Sequence, residues 1–168
     1  MYSFHVSTDS PKPQLYRELI AAAGALTDGE PDGIANMANI AALLWQYLTD
    51  LNWAGFYRMV DADPSTGSGQ ELVLGPFQGK AACIRIALGK GVCGAAALSA
   101  ASQRVDDVHA FPGHIACDAD SRSELVVPVI RDGAVVAVID LDSPVPARFD
   151  VADQQGIEAL ALLLANRI

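Results

Sequence analysis

The stretch Glu124-Leu-Val-Val-Pro-Val-Ile-Arg131-Asp-Gly-Ala134-Val-Val-Ala-Val-Ile-Asp140-Leu-Asp142 reads as two apolar strands, residues 125–130 and 134–141, joined around Arg131-Asp132-Gly133. Residues two apart on a strand project the same way. Asp140 and Asp142 therefore extend the face lined by Val136 and Val138, with their side chains about 7 Å apart. Two acids in apolar surroundings repel each other and resist ionisation, so at least one pKa should rise. Such a pair can donate a proton to a leaving oxygen or grip a cation; the plainer alternative is the wet end of a buried strand. Turn length decides where Glu124 falls. A two-residue loop, Asp132-Gly133, sets Glu124 opposite Leu141, whereas a three-residue loop with Gly133 in a left-handed bulge sets it opposite Asp140. Glycine at the third loop position favours the second, and with it a cluster of Glu124, Asp140 and Asp142. Pro128 removes a ladder donor and signals an edge or a bulge.

Working outward, Leu15, Leu19, Ala22, Ala23 and Leu26 recur at helical spacing until Asp28-Gly29. A longer stripe of Ile34, Met37, Ala38, Ala41, Leu44, Leu48 and Leu51 predicts a second helix ending near Asn52. Residues 53–60 are aromatic and branched, as strands prefer, and place Trp53 and Tyr57 on one face. That face is a core surface or the wall of a ligand pocket with apolar and cationic contacts. Residues 61–69 read as a loop, 71–74 and 83–88 as strands, 91–101 as an alanine-rich helix, 103–108 as extended and 109–123 as a long functional loop. Asp150, with Asp153 three positions on, can cap a last helix carrying Val151, Ile157, Leu160, Ala161 and Leu164. This order predicts an α+β domain: a mostly antiparallel sheet with helices packed on it.

At 168 residues the chain fits one domain spanning 1–168. With 51% apolar and 18% charged residues it is globular. Eleven basic against 20 acidic residues give a formal charge of -9 and no basic stripe, which argues against nucleic acid. The start, Met-Tyr-Ser-Phe-His, has neither a basic n-region nor a long apolar run, so the expectation is a cytoplasmic protein off the membrane.

The three cysteines, Cys83, Cys93 and Cys117, stand as C-x9-C-x23-C. No Cys-x-x-Cys occurs, against a zinc ribbon, and the odd count argues against a disulfide framework. Inert core thiols and a redox site both fit this spacing. Gly89-Lys-Gly91-Val-Cys93-Gly94 is a literal G-x-G-x-x-G, with Asp106 downstream, but the surrounding chain lacks the repeated strand–helix–strand pattern of a dinucleotide fold. A tight strand-to-helix turn is the better reading, and it puts Cys93 in a first helical turn, where N–H groups favour a thiolate. Cys117 is flanked by His109, His114, Asp118, Asp120 and Arg122, whose charges push its pKa both ways.

Taken together, Asn52-Trp-Ala-Gly-Phe-Tyr57, Gly75-Pro-Phe-Gln-Gly-Lys-Ala-Ala-Cys83, Gly89-Lys-Gly-Val-Cys93-Gly94, Val105-Asp-Asp-Val-His-Ala-Phe-Pro-Gly-His-Ile-Ala-Cys117, Ser121-Arg-Ser-Glu124 and Asp140-Leu-Asp-Ser-Pro144 resemble the free methionine-(R)-sulfoxide reductases, single-domain enzymes of the GAF fold. The resemblance implies that Cys117 is the nucleophile and Cys83 the resolving thiol, with Cys93 a second candidate for that role. It implies that Glu124, Asp140 and Asp142 bind the sulfoxide oxygen and supply a proton, and that Trp53 and Tyr57 shape the pocket around the thioether methyl. It further implies thioredoxin as reductant, no metal or organic cofactor, and a homodimer paired through terminal helices. The competing expectations are a GAF sensor module that binds a small ligand without catalysis, usually part of a longer chain, and a protein whose cysteines merely record oxidation.

Overall fold

The computed structural model describes residues 10–62, 69–113 and 118–168. Two helices come first, α1 (Lys12–Leu26) and α2 (Gly33–Tyr47), followed by strands β1 (Trp53–Asp61), β2 (Gln70–Gly79) and β3 (Arg85–Ala87). Helix α3 (Gly91–Ser99), strand β4 (Gln103–Val105) and a 3-10 turn at Val108–Ala110 precede β5 (Ser123–Arg131), β6 (Ala134–Ser143) and α4 (Val151–Leu164). Asp32 caps α2 by accepting from the amides of Ile34 and Ala35. Asp150 and Asp153 form the expected capping box on α4. Helix α2 stops at Tyr47, short of the predicted end near Asn52, because the chain turns extended at Leu48. Its buried seam runs through Met37, Ile40, Ala41, Leu44 and Tyr47, while Ile34 and Ala38 face outward.

The sheet is antiparallel throughout, in the order β3-β2-β1-β6-β5-β4. Alternation along each strand divides it into two faces. Ala54, Phe56, Leu125, Val127, Val129, Ala137, Ile139 and Leu141 pack under α1, α2 and α4. Trp53, Tyr57, Leu72, Val126 and Val138 face α3, which lies against β3, β4, β5 and β6 and closes the second core with Val92, Ala96 and Ala97. The fold is thus three layers, with the middle strands β1 and β6 buried on both sides.

The β5–β6 hairpin corrects the expected register. Arg131 pairs with Ala134 across a two-residue turn, and both Asp132 (φ 51°) and Gly133 (φ 79°) are left-handed, as a type I′ turn requires. A bulge then follows: Val129 pairs with Ala137 but Ile130 with Val135, leaving Val136 as the extra residue. Glu124 consequently lies opposite Asp142 rather than Asp140. The bulge also moves Val136 to the α1/α2/α4 face, so the acids continue the line of Val138 but not of Val136. The acidic cluster forms nonetheless, because the bulge restores the even register that a two-residue turn alone would have lost.

Candidate active site

The α3 side of the sheet opens at one end into a cleft of about 550 Å³, counting its mouth. Trp53, Tyr57, Ala82, Ile86 and Val92 supply apolar walls; Glu124, Asp140, Asp142, Cys93, Ser121 and Asp118 supply polar groups. The register explains the floor. Trp53 lies opposite Asp142 and Gly55 opposite Asp140, and Glu124 faces Asp142 from the other side. Three carboxyls therefore converge from two neighbouring strands. Trp53 stacks with Tyr57 at 5.8 Å between ring centroids and with Phe77 at 5.2 Å. Gly55 makes room for Phe77: a Cβ there would stand 2.4 Å from the Phe77 Cβ. Phe77 belongs to the aromatic wall, yet only its place in the Gly75-to-Cys83 motif signalled it. The Tyr57 hydroxyl donates to the Cys83 carbonyl at 3.0 Å, tying that wall to the segment carrying Cys83.

Glu124 and Asp140 are almost wholly buried, and Asp142 is partly so. Burial raises Asp140 to about 7, although hydrogen bonds from Cys93 and Glu124 act the other way. Glu124 is pushed well above the carboxylate range by burial first, then by the charges of Asp140 and Asp142. Asp142 is raised by burial and by Asp140, against a lowering hydrogen bond from Ser121. The Asp140 Oδ1 is buried without a hydrogen-bond partner. A cluster whose carboxyls are all raised above their ordinary range, and which retains an unused acceptor, suits acid catalysis on a ligand that brings its own polar atom.

Ser121 in turn is positioned by Asn52, whose Nδ2 donates to Ser121 Oγ at 2.9 Å and to Asp118 Oδ2 at 3.0 Å. Asp118 also receives Lys80 Nζ at 3.2 Å and the Asp120 amide at 3.0 Å. This polar strap joins the segment after β2 to the one before β5 beside the cleft. Sequence reasoning assigned no role to Asn52, Lys80 or Ser121; the quoted motifs contain them, but their contacts are long-range.

Of the predicted site residues, the structure brings Trp53, Tyr57, Cys93, Glu124, Asp140 and Asp142 into one cleft. Cys83 lies on the adjoining segment between β2 and β3, partly buried. Cys117 and His114 fall outside the described residues, whereas Asp118, the next residue after Cys117, lines the cleft. His109 and Arg122 are exposed, with Arg122 Nη1 2.8 Å from His109 Nε2. Cys93 reverses an expectation. Although it stands in the first turn of α3, burial and then the neighbouring Asp140 and Glu124 push its thiol well above the usual value. Enclosure and two acids outweigh the helix dipole.

The glycine motif is structural. Gly89 (φ 77°) and Gly91 (φ 59°) make a left-handed turn from β3 into α3, and β3 is an antiparallel edge strand, unlike the parallel strand of a dinucleotide fold.

The GAF domain family matches residues 35–168. The chain belongs to that family. Within it, the free methionine-R-sulfoxide reductase of Escherichia coli K12 is 47% identical over 91% of this chain and 88% of its own. Protein YtsP of Bacillus subtilis 168 is 50% identical over 98% of both chains. Among solved structures, the free methionine-R-sulfoxide reductase of Neisseria meningitidis in complex with its substrate superposes with a TM-score of 0.89 at 42% identity, covering 99% of this chain and 95% of that one. This GAF protein is therefore a relative of free methionine-R-sulfoxide reductases. No helix among its described residues is long and apolar enough to cross a membrane.

Proposed function

We propose that this protein reduces free L-methionine (R)-sulfoxide to methionine, acting as one catalytic domain over residues 1–168. The observation that carries the reading is the cluster of Glu124, Asp140 and Asp142, each raised above the ordinary carboxylate range by burial, beside an aromatic wall. A sulfoxide oxygen leaves poorly until it is protonated. The Cys117 thiolate attacks the sulfoxide sulfur while the cluster protonates the oxygen. Methionine departs and Cys117 is left as a sulfenic acid, so the substrate sulfur is reduced by two electrons and the cysteine sulfur oxidised by two. A second thiol condenses with the sulfenic acid, releasing water and forming a disulfide. Cys83 suits that role better than Cys93, since Cys93 is buried against two acids that disfavour its thiolate. Thioredoxin then restores both thiols by dithiol exchange.

Trp53 and Tyr57 line the cleft and shape the site for the thioether end. The same reading puts the protein in the cytoplasm, where thiols stay reduced. Exposed apolar side chains on α2 (Ile34, Trp45) and α4 (Val151, Leu162) support a homodimer.

The test is NADPH oxidation coupled through thioredoxin and its reductase, with free L-methionine (R)-sulfoxide as substrate. Cys117→Ser abolishes methionine release in a single turnover. Cys83→Ser spares that release and blocks recycling. If the parent protein shows no turnover above a no-enzyme control, a non-catalytic GAF sensor becomes the better account.

A further inference from the structure

We propose that Cys93, Glu124 and Asp140 form a zinc-binding site at the base of the cleft. Their three ligand atoms, a thiol sulfur and two carboxylate oxygens, lie within 4.8 Å of one another. Cys93 Sγ stands 4.0 Å from Glu124 Oε1, and Cys93 is a free thiol. Asp140 is 5% exposed, lines the cleft and has its Oδ1 without a hydrogen-bond partner, so one acceptor already waits for a donor or a cation.

Zinc bonds sulfur at about 2.3 Å and carboxylate oxygen at about 2.0–2.2 Å, which sets neighbouring ligand atoms of a tetrahedral site roughly 3.6 Å apart. Rotations that draw the three groups about an ångström closer bring them to that spacing. Cys93 sits on α3, which packs against the β5–β6 pair that carries both acids. One soft and two hard ligands suit zinc, whereas magnesium and calcium prefer oxygen alone. The fourth position opens to the cleft.

Bound zinc would occupy the space in which Glu124 and Asp140 hold a sulfoxide oxygen, and it would therefore inhibit. That consequence rests on the reductase reading; the binding itself does not.

The experiment titrates reduced, reductant-free protein with zinc against a chromophoric chelator, and in parallel with cobalt, whose thiolate charge-transfer band reports sulfur ligation. We expect one equivalent bound with that band, both retained in a Cys83→Ser/Cys117→Ser double variant. Cys93→Ser abolishes the band and weakens zinc by at least about tenfold. Glu124→Gln weakens zinc while keeping the band, which guards against a folding defect in Cys93→Ser. Absence of zinc binding by the parent overturns the site, as does a band that survives in Cys93→Ser and vanishes in the double variant. Inhibition is read separately: zinc that binds without slowing an active enzyme leaves the site standing and removes its regulatory consequence.

Discussion

Among its described residues, this molecule buries carboxylates in two places and treats them oppositely. Asp153, 1% exposed in the first turn of α4, accepts from the Tyr16 hydroxyl at 2.8 Å, from Lys12 Nζ at 2.5 Å, from Arg148 Nη1 at 3.3 Å and from the Asp150 amide at 2.8 Å. Both of its oxygens are occupied, and two cations face it. Glu124, Asp140 and Asp142 have no described cation bonded to them and an Asp140 oxygen left unpaired. The first arrangement ties α1, α4 and the chain before α4 together; the second leaves acids facing one another without a compensating cation among the described residues, so that they resist ionisation. A buried acid with satisfied neighbours serves the fold, whereas one left unsatisfied at a cleft serves a ligand.

The sharpest way to break this contrast is to exchange the losses. Asp153→Ala strands Lys12, Arg148 and the Tyr16 hydroxyl, so we expect a loss of about 3 kcal/mol in urea unfolding. On the proposed function, the methionine sulfoxide reductase rate of the remaining folded protein should stay near the parent's. Asp142→Asn should do the reverse, slowing single-turnover methionine release by about 100-fold while leaving the urea midpoint unchanged or higher. Equal stability losses in the two variants would erase the distinction.

A pH series sharpens it. The folded protein holds the Asp140 proton up to about 7, whereas an ordinary carboxyl in the unfolded chain releases it near 4. More protons are bound in the folded state across that window, so the contribution is fully present below pH 4 and lost as pH rises through 7. Asp140→Asn should flatten that decline, as followed by urea midpoints at successive pH values; an unchanged slope would assign the decline elsewhere. The smallest effect concerns packing at the satisfied site. A Cβ on Gly156 would stand 2.2 Å from the Tyr16 ring, so Gly156→Ala should cost about 1–2 kcal/mol in thermal unfolding without altering the rate of a folded sample.

Much of this was legible along the chain. The last-helix cap, the aromatic pair Trp53 and Tyr57, and the shared direction of Asp140 and Asp142 follow from local periodicity and hydrogen-bonding chemistry. Register was harder. The expected three-residue turn and the observed two-residue turn with a bulge give the same parity, so the cluster was foreseen although Glu124 was matched to the wrong partner. The bulge at Val136 leaves no clear mark in a run of Val and Ala, because it is set by strand twist and packing against two layers. The Cys93 environment was missed for a related reason. Its position in a helical first turn is local, but its enclosure by Asp140 and Glu124 is not.

The amino-acid sequence by itself determined the α+β order of elements, the faces of the strands and the residue types that could meet in a site, since periods of 2 and 3.6 and the capping rules act over a few residues. Only tertiary structure decided that three acids, a thiol and an aromatic wall share one cleft, and that the same carboxylate chemistry is quenched at Asp153. Those outcomes depend on which charges and donors lie within a few ångströms across distant segments, and on how much water the packing excludes from between them.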